Sequence, residues 1–177
     1  MILVEGTSDA VAVETLAERR ERNLETEGVV IVPTGGAQAI GRFLGLYGPD
    51  VKLAGLCDAA EEPEFRSALE RAHRGSDLTR DGLERLGFFT CEPDLEAELI
   101  RAVGADEVLR VAETHGDLAS FRTLQKQPEW RGRQTEEQLH RWLGSGGSRK
   151  IRYARYLVEA LDLTAVPRPL DGVLAAV

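Results

Sequence analysis

The chain has 177 residues, of which 42% are hydrophobic and 29% are charged, the composition of an ordinary globular protein. No stretch approaches the roughly 18 consecutive apolar residues of a membrane span, and the chain does not open with the charged and then apolar segments of a secretory leader. We therefore expect a cytoplasmic protein with no membrane partner, in which Cys57 and Cys91 stay reduced.

The net charge of -8 is unevenly distributed along the chain. Between Leu118 and Arg155 there are nine Lys or Arg and three Glu, a surplus of six, so the remaining residues together carry a net charge of -14. An acidic part beside a basic part suggests a metal site next to a polyanion-binding surface. Two solvated faces of opposite sign would produce the same asymmetry, so charge alone leaves both interpretations open.

Four short apolar runs predict four strands, at residues 2–4, 29–32, 51–57 and 87–90. The runs are continuous rather than alternating, which is typical of strands covered on both faces. Helical sequences lie between them, as expected for consecutive βαβ units. The sequence therefore predicts an α/β fold, with a Rossmann-like parallel sheet of about four strands between helices.

The predicted helices begin and end at recognisable signals. The first should start at Ser8 as its N-cap and continue to residue 25, and the second should follow Gly35 and Gly36 and end at Pro49–Asp50. The third should end at Gly75.

Only helical segments are predicted after residue 92. We expect an α/β core at residues 1–92 and a partly basic helical extension at residues 93–177 that packs on the core. Within the extension, the GSGGS sequence at residues 144–148 predicts a flexible joint, and the segment from Pro167 onward predicts a loose tail.

Three carboxylates are predicted to meet at one edge of the sheet. Glu5 ends the first strand, Asp9 lies in the first turn of the following helix, and Asp58 ends the third strand, with Glu61 and Glu62 behind it. Ligands of open α/β sheets bind at the carboxyl ends of the strands, and clustered oxygen ligands suit Mg²⁺ or Mn²⁺. Taken singly, each acid also has a structural explanation, since Asp9 would complement the helix dipole.

These motifs resemble a TOPRIM domain, and most closely the TOPRIM part of OLD (overcoming lysogenization defect) nucleases. The resemblance lies in VEGTSD with Glu5 and Asp9, the glycine pair 35–36, and LCDAAEE with Asp58; it continues in DLEAELI with Glu96 and in the late basic residues around Lys150. It implies a metal-dependent nuclease with one or two Mg²⁺ or Mn²⁺ ions, held by Glu5, Asp9, Asp58, Glu62 and Glu96. It also implies that Glu5, Asp58 and Lys150 are catalytic, with Lys150 neutralising charge on the phosphate.

Two departures from the family pattern matter. Ala60 stands where the family usually has a second Asp, and since residues 58 and 60 would share a strand face, a weakened or single-metal site is the alternative. OLD nucleases also carry an ATPase domain before TOPRIM, whereas this sequence contains no G-x-x-x-x-G-K-[ST] phosphate loop. We therefore expect no ATP hydrolysis by this chain, and hypothesise a separately encoded ATPase partner.

The basic extension is the candidate surface for DNA or RNA, because an acidic site would repel phosphates without it. The predicted phosphate contacts are Arg131, Arg133, Arg149, Arg152 and Arg155. Trp130, Trp142 and Tyr153 could stack on unpaired bases, although the helical spacing favours packing for Trp142 and Tyr156. The competing interpretations are a catalytically weakened TOPRIM-like module that binds nucleic acid or docks a partner, and an acidic-site phosphatase. The usual DxDx[TV] pattern of the phosphatase is not met by DAAEE.

Overall fold

The computed structural model describes residues 1–47 and 51–177, so the predicted helix end at Pro49–Asp50 lies outside the described residues. The described residues form one parallel sheet of four strands in the order β2-β1-β3-β4. The strands are β1 (Ile2–Val4), β2 (Ile31–Pro33), β3 (Ala54–Asp58) and β4 (Phe88–Cys91). The predicted parallel sheet between helices is confirmed, with β2 beginning two residues later than expected.

Helices cover both faces of the sheet, and a short 3₁₀ turn, Ala37–Ala39, precedes the second one. The described helices are α1 (Thr7–Arg19), α2 (Ile40–Leu46), α3 (Glu62–Arg71), α4 (Arg80–Arg85), α5 (Leu95–Val103), α6 (Ala105–Thr114), α7 (Leu118–Gln125), α8 (Thr135–Gly144), α9 (Gly147–Ala160) and α10 (Arg168–Ala175). None of them is long and apolar enough to cross a membrane.

Alternate residues of the central strands enter two separate apolar clusters. Ile2 and Val4 pack with α1 and with helices α5 to α10, whereas Leu3 packs on the other side with α2, α3 and α4. This alternation follows from the period of two along a strand and explains why the runs are continuously apolar. One core thus joins β1 and β3 to the helices beyond residue 92, and the division of the chain at that residue stays a prediction.

The first helix differs from its predicted limits at both ends. Its N-cap is Gly6 rather than Ser8, because the Asp9 carboxylate accepts a hydrogen bond from the Gly6 amide at 2.8 Å and closes the first turn there. The helix ends at Arg19 because Glu21 adopts a positive φ of 56° and the amide of Arg22 donates to the carbonyl of Ala17 at 2.9 Å. This left-handed residue stops the helix six residues earlier than predicted.

Two expectations for the extension are wrong. The GSGGS sequence is no flexible joint, because α8 continues to Gly144, α9 begins at Gly147, and the Ser145 hydroxyl donates to the Trp142 carbonyl at 2.7 Å. The segment after Pro167 is no loose tail, because it forms α10 and fully buries Leu170, Val173 and Leu174. Their spacing places these three side chains on one helix face.

The loop after β2 is shaped by two glycines. Gly35 and Gly36 have φ angles of 79° and 121°, and their amides donate to the Glu5 carbonyl at 3.0 and 3.2 Å. Gly36 has ψ 155°, a conformation found almost only in glycine. The loop therefore fixes the end of β1 through a backbone shape that other residues adopt only with strain.

We predict that Gly36→Ala lowers the free energy of unfolding by about 1–3 kcal/mol, the cost of a residue in such a backbone region. An added Cβ would meet no atom within 4 Å, so the effect isolates the backbone conformation. The matched control is Gly45→Ala, which also meets no atom within 4 Å but lies in α2 and should stabilise by roughly 0.5–1 kcal/mol. Urea denaturation of both variants checks this, and equal stability changes would contradict it.

Candidate functional site

Glu5 connects the ends of the two central strands. Its side-chain oxygen accepts a hydrogen bond from the amide of Asp58 at 2.9 Å, across the boundary where β1 pairs with β3. The Glu5 carboxylate therefore lies between the two strand ends. The structure thus brings Glu5 and Asp58 together at the carboxyl edge of the sheet.

A cleft of about 340 Å³ collects the predicted acids and the predicted lysine. Its walls include Glu5, Asp9, Asp58 and Lys150, with Gly36 and Gly147 beside them. Asp9 is only 8% exposed. Its carboxylate caps the first turn of α1 and also borders the cleft. The structural explanation for Asp9 is therefore correct, and it does not remove the residue from the site.

The electrostatics of the cleft show a shortage of positive charge. Burial, a hydrogen bond with Glu61 and the nearby Asp58 raise the pKa of Glu5 to about 8, against the opposing effect of the Asp58 amide. Burial and the negative charges of Asp9 and Asp94 raise the pKa of Asp58 to about 7. Burial also raises the pKa of Asp9. Carboxylates with raised pKa values are those that a bound cation stabilises most.

Lys150 supplies part of that positive charge. Its ammonium group lies 2.9 Å from the carboxylate of Glu96, which is buried in the first turn of α5. Burial alone would lower the pKa of Lys150, but the negative charges of Glu96, Asp9 and Asp58 raise it. Lys150 therefore remains charged and borders the cleft, and Glu96 reaches the carboxylate group through its contact with Lys150.

Glu62 does not reach the cleft. Its carboxylate pairs with Arg66 and accepts a hydrogen bond from Arg80 at 2.7 Å. Burial raises its pKa, but the hydrogen bond and charge of Arg80, together with Thr90 and Arg66, outweigh this, so the pKa of Glu62 lies below its ordinary value. Because two guanidinium groups already balance this charge, we remove Glu62 from the candidate metal ligands.

Glu61, the alternative to Glu62 in the turn after Asp58, is the acid that lies beside Glu5. Glu61 hydrogen-bonds with Glu5, and its other contact is the amide of Ala37 at 3.3 Å. β3 ends at Asp58 and the chain turns at once, with the Glu61 amide donating to the Asp58 carbonyl at 3.0 Å. Ala60 is consequently an exposed turn residue, and the expectation that residues 58 and 60 share a strand face is wrong.

A histidine and an aspartate that no sequence motif indicates lie beside the site. His140 Nε2 lies 2.6 Å from a carboxylate oxygen of Asp94, and the other oxygen of Asp94 accepts from the Ala97 amide at 2.9 Å as the N-cap of α5. The hydrogen bond with Asp94 raises the pKa of His140. The pair supports the helix turn that carries Glu96.

The five predicted phosphate-binding arginines do not form one free basic stripe. Arg149 packs inside, with its guanidinium carbon 4.6 Å from the Trp142 ring centroid and a hydrogen bond to the Trp142 carbonyl at 2.8 Å. On the same helix, Arg152 and Arg155 pair with acidic side chains, namely Asp117, Glu18 and Glu159.

Arg131 and Arg133 lie apart from α9, in the segment before α8. Arg133 lies over the Trp130 ring, with its guanidinium carbon 5.1 Å from the ring centroid. Arg131 is exposed and donates to the carbonyl of Lys126 at 3.1 Å. Within the described residues, Arg133, Arg152 and Arg155 form ion pairs with acidic side chains, whereas Arg131 forms none. The charge of Arg131 is therefore the most accessible of the five.

The donor chemistry of the cleft fits a hard cation. Glu5, Asp9 and Asp58 offer carboxylate oxygens, the ligands that Mg²⁺ and Mn²⁺ prefer, and burial raises the pKa of each. Among residues 1–47 and 51–177, however, no three His, Cys, Asp or Glu side chains are already arranged as a metal-binding group. Side-chain rotation around the Glu5–Asp58 contact would be needed to close such a group.

The fold and the cleft together define a TOPRIM-like α/β domain with a helical extension. Residues 1–54 match the family model described as overcoming lysogenization defect protein-like, TOPRIM domain. The predicted resemblance to the TOPRIM part of OLD proteins is thereby confirmed. Comparison with curated protein sequences gives no significant match.

Solved structures of OLD proteins share the fold along almost the whole chain. The C-terminal region of the Burkholderia pseudomallei OLD protein has a TM-score of 0.74 at 19% identity, covering 99% of this chain and 94% of that one. The C-terminal region of the Xanthomonas campestris pv. campestris OLD protein, phased with platinum, has a TM-score of 0.74 at 24% identity, covering 99% and 89%. At these identities the likeness shows the fold.

We predict that the metal-free protein becomes less stable as pH rises. The folded pKa values of Glu5 and Asp58, about 8 and about 7, exceed the ordinary values of 4.5 and 3.8. The folded state therefore binds more protons than the unfolded state in this interval. The stability from these groups is fully present below the ordinary pKa values and is lost as pH rises through 7 and 8.

Urea denaturation in EDTA across this pH range measures the effect, with Glu5→Gln expected to flatten the decline. Glu14→Gln is the control, because Glu14 is an exposed acid on the same helix as Asp9. A pH dependence that is identical in the wild type and in Glu5→Gln would show that the Glu5 carboxyl does not titrate in this way.

Proposed function

We propose that the chain is a metal-dependent nuclease that hydrolyses phosphodiester bonds in DNA. The observation that carries the proposal is the meeting of Glu5, Asp9, Asp58 and Lys150 around one cleft at the carboxyl edge of the sheet. The family match supports it, since residues 1–54 include Glu5 and Asp9. A serine, histidine or cysteine nucleophile is not needed for this chemistry.

In this proposal Glu5, Asp9 and Asp58 would hold Mg²⁺ or Mn²⁺. When bound, such an ion supplies an activated water and stabilises charge on the leaving oxygen. The side chains act on the phosphate in opposite directions, because the carboxylates repel it and the cationic groups attract it. The phosphate is therefore expected to bind the cleft more tightly when a cation fills the carboxylate group.

Lys150 is placed to donate hydrogen bonds to a non-bridging phosphate oxygen. Its ammonium group borders the cleft while Glu96 holds it at 2.9 Å. A cationic donor fixed before the substrate arrives stabilises developing negative charge without reorganisation. Because Glu96 is bonded to Lys150, we propose that Glu96 positions this amine instead of binding a second ion.

We predict that Glu5→Gln and Asp58→Asn each reduce cleavage of supercoiled plasmid by at least about 100-fold, the effect typical of losing one group that stabilises charge in the transition state. The assay uses purified protein with Mg²⁺ or Mn²⁺ and follows nicked product. Glu14→Gln should cleave at the wild-type rate, because Glu14 is exposed and does not border the cleft.

The competing proposal is a catalytically silent module that binds nucleic acid or docks a partner. Ala60 and the lack of a preformed metal-binding group among the described side chains favour it. Intact plasmid with either cation, together with no calorimetric signal for metal binding, would replace the nuclease proposal with this one. Cleavage that persists undiminished in Glu5→Gln would show that another site or a contaminant is responsible.

Binding to DNA is expected to depend on the accessible charge of Arg131. We predict that Arg131→Gln weakens binding to all sequences alike and reduces the slope of log affinity against log salt by about 0.9, the contribution of one phosphate contact. Arg110→Gln is the control, because Arg110 pairs with Glu107 on α6 outside the basic segment. Fluorescence anisotropy at several salt concentrations measures both slopes, and an unchanged slope in Arg131→Gln would remove this residue from the interface.

A further inference from the structure

A second cavity lies next to the carboxylate cleft and has about twice its volume. The helical cavity, as we name it, is enclosed by α5, α6, α8 and Trp130, and has a volume of about 680 Å³. Pockets of roughly 300–1,000 Å³ with apolar walls and a few polar groups are typical of sites for small organic ligands. Nothing in the proposed cleavage chemistry uses this cavity.

One wall of the helical cavity is the indole ring of Trp130. Trp130 is half-buried, and its carbonyl accepts a hydrogen bond from the side chain of Gln138 at 2.7 Å. Gln138 is only 4% exposed and is itself bonded by Gln125 at 2.7 Å. The backbone of Trp130 is therefore held by a buried amide network, although it lies in a segment between helices.

The rest of the helical cavity combines a flat apolar surface with a charged rim. Ile100 and the small residues Ala97 and Ala105 form apolar wall, which leaves room beside the indole. Arg133 and Arg141 are exposed at the edge. A planar apolar group carrying a nearby negative charge matches these surroundings, and a nucleotide has this chemistry.

The first turn of α5 links the helical cavity to the cleft, because Ala97 lines the cavity and its neighbour Glu96 pairs with Lys150. His140 borders the helical cavity and bonds to Asp94, the N-cap of α5. Two residues further along, Glu96 pairs with Lys150, which borders the cleft. A base site at the helical cavity would therefore require the strand bound at Lys150 to continue past the first turn of α5.

We propose that the helical cavity binds an unpaired nucleobase of the strand being cleaved, stacked against Trp130 in place of the Arg133 guanidinium that lies over this ring. This inference rests on the proposed nuclease function and specifies its substrate class as single-stranded or unpaired DNA. A paired base would have to leave its duplex to enter, at a cost in stacking and pairing free energy. The acidic rim residue Glu137 provides an acceptor for the amino and imino hydrogens of a base.

The test measures binding of fluorescent oligonucleotides to the full chain in EDTA, where no cleavage interferes. We expect Trp130→Ala to weaken binding of a single strand by roughly 5- to 100-fold, the range for loss of one base–aromatic stack, with little effect on a blunt duplex. Trp130→Phe should retain the preference. Abasic substitution along the strand should weaken the wild type similarly and cause no further loss in Trp130→Ala.

A second variant separates stacking from folding. Ala105→Phe fills the helical cavity while leaving Trp130 in place, and it should reduce single-strand binding to the same degree. Equal affinity of the wild type and both variants for single strands would overturn the proposal. An equal loss of affinity for single strands and blunt duplex would also overturn it. The same holds if an abasic strand binds as well as an intact one, because the cavity would then hold no base.

The two proposals fail in different ways. Plasmid that stays intact with both cations would reject the nuclease function, while the oligonucleotide comparison would still report on the helical cavity. Conversely, Glu5-dependent cleavage with no discrimination by Trp130 would keep the nuclease and reject the base site.

Discussion

The hydrogen bond from the Asp58 amide to the Glu5 carboxylate is the constraint on which the site depends. It spans two neighbouring parallel strands at 2.9 Å and holds one acid against the backbone of the other. Asp9 borders the same cleft and Glu61 lies beside Glu5, so negative charge accumulates in a half-buried cleft. Burial, and after it this negative charge, raises the pKa values of Glu5 and Asp58, and a site in this state favours any cation that enters.

The sheet and its acidic edge were predictable, because each depends on a local pattern. Continuous apolar runs occur where both faces of a strand are covered, and the acids follow two of those runs directly. The order β2-β1-β3-β4 makes these two strands neighbours, which no local pattern reports. The choice between Glu61 and Glu62 was equally inaccessible, since the tight turn after Asp58 and the arginines at Arg66 and Arg80 decide it.

Other expectations were wrong because they rested on composition, whereas the spacing of residues or contacts in the folded chain decided the structure. The C-terminal segment contains two prolines, yet Leu170, Val173 and Leu174 have helical spacing and are buried. The bond between His140 and Asp94 joins residues 46 positions apart, so no motif indicates it. Counting arginines overestimated the free positive charge, because ion pairs and ring contacts form only in the folded chain, as Arg149 shows.

The closest association between the early and late parts of the chain is the packing of α1 against α9. Arg19 of α1 donates to the carbonyls of Val158 and Leu161 at 2.8 and 2.7 Å, at the far end of α9 from Lys150. Asp9 and Lys150 are thus carried by two helices that are fastened to each other. A fragment ending after β4 would retain Glu5, Asp9 and Asp58 but lack Lys150 and the apolar residues of α9 that pack on α1. Adding the remaining helices as a separate fragment would therefore have to restore folding and the complete site together.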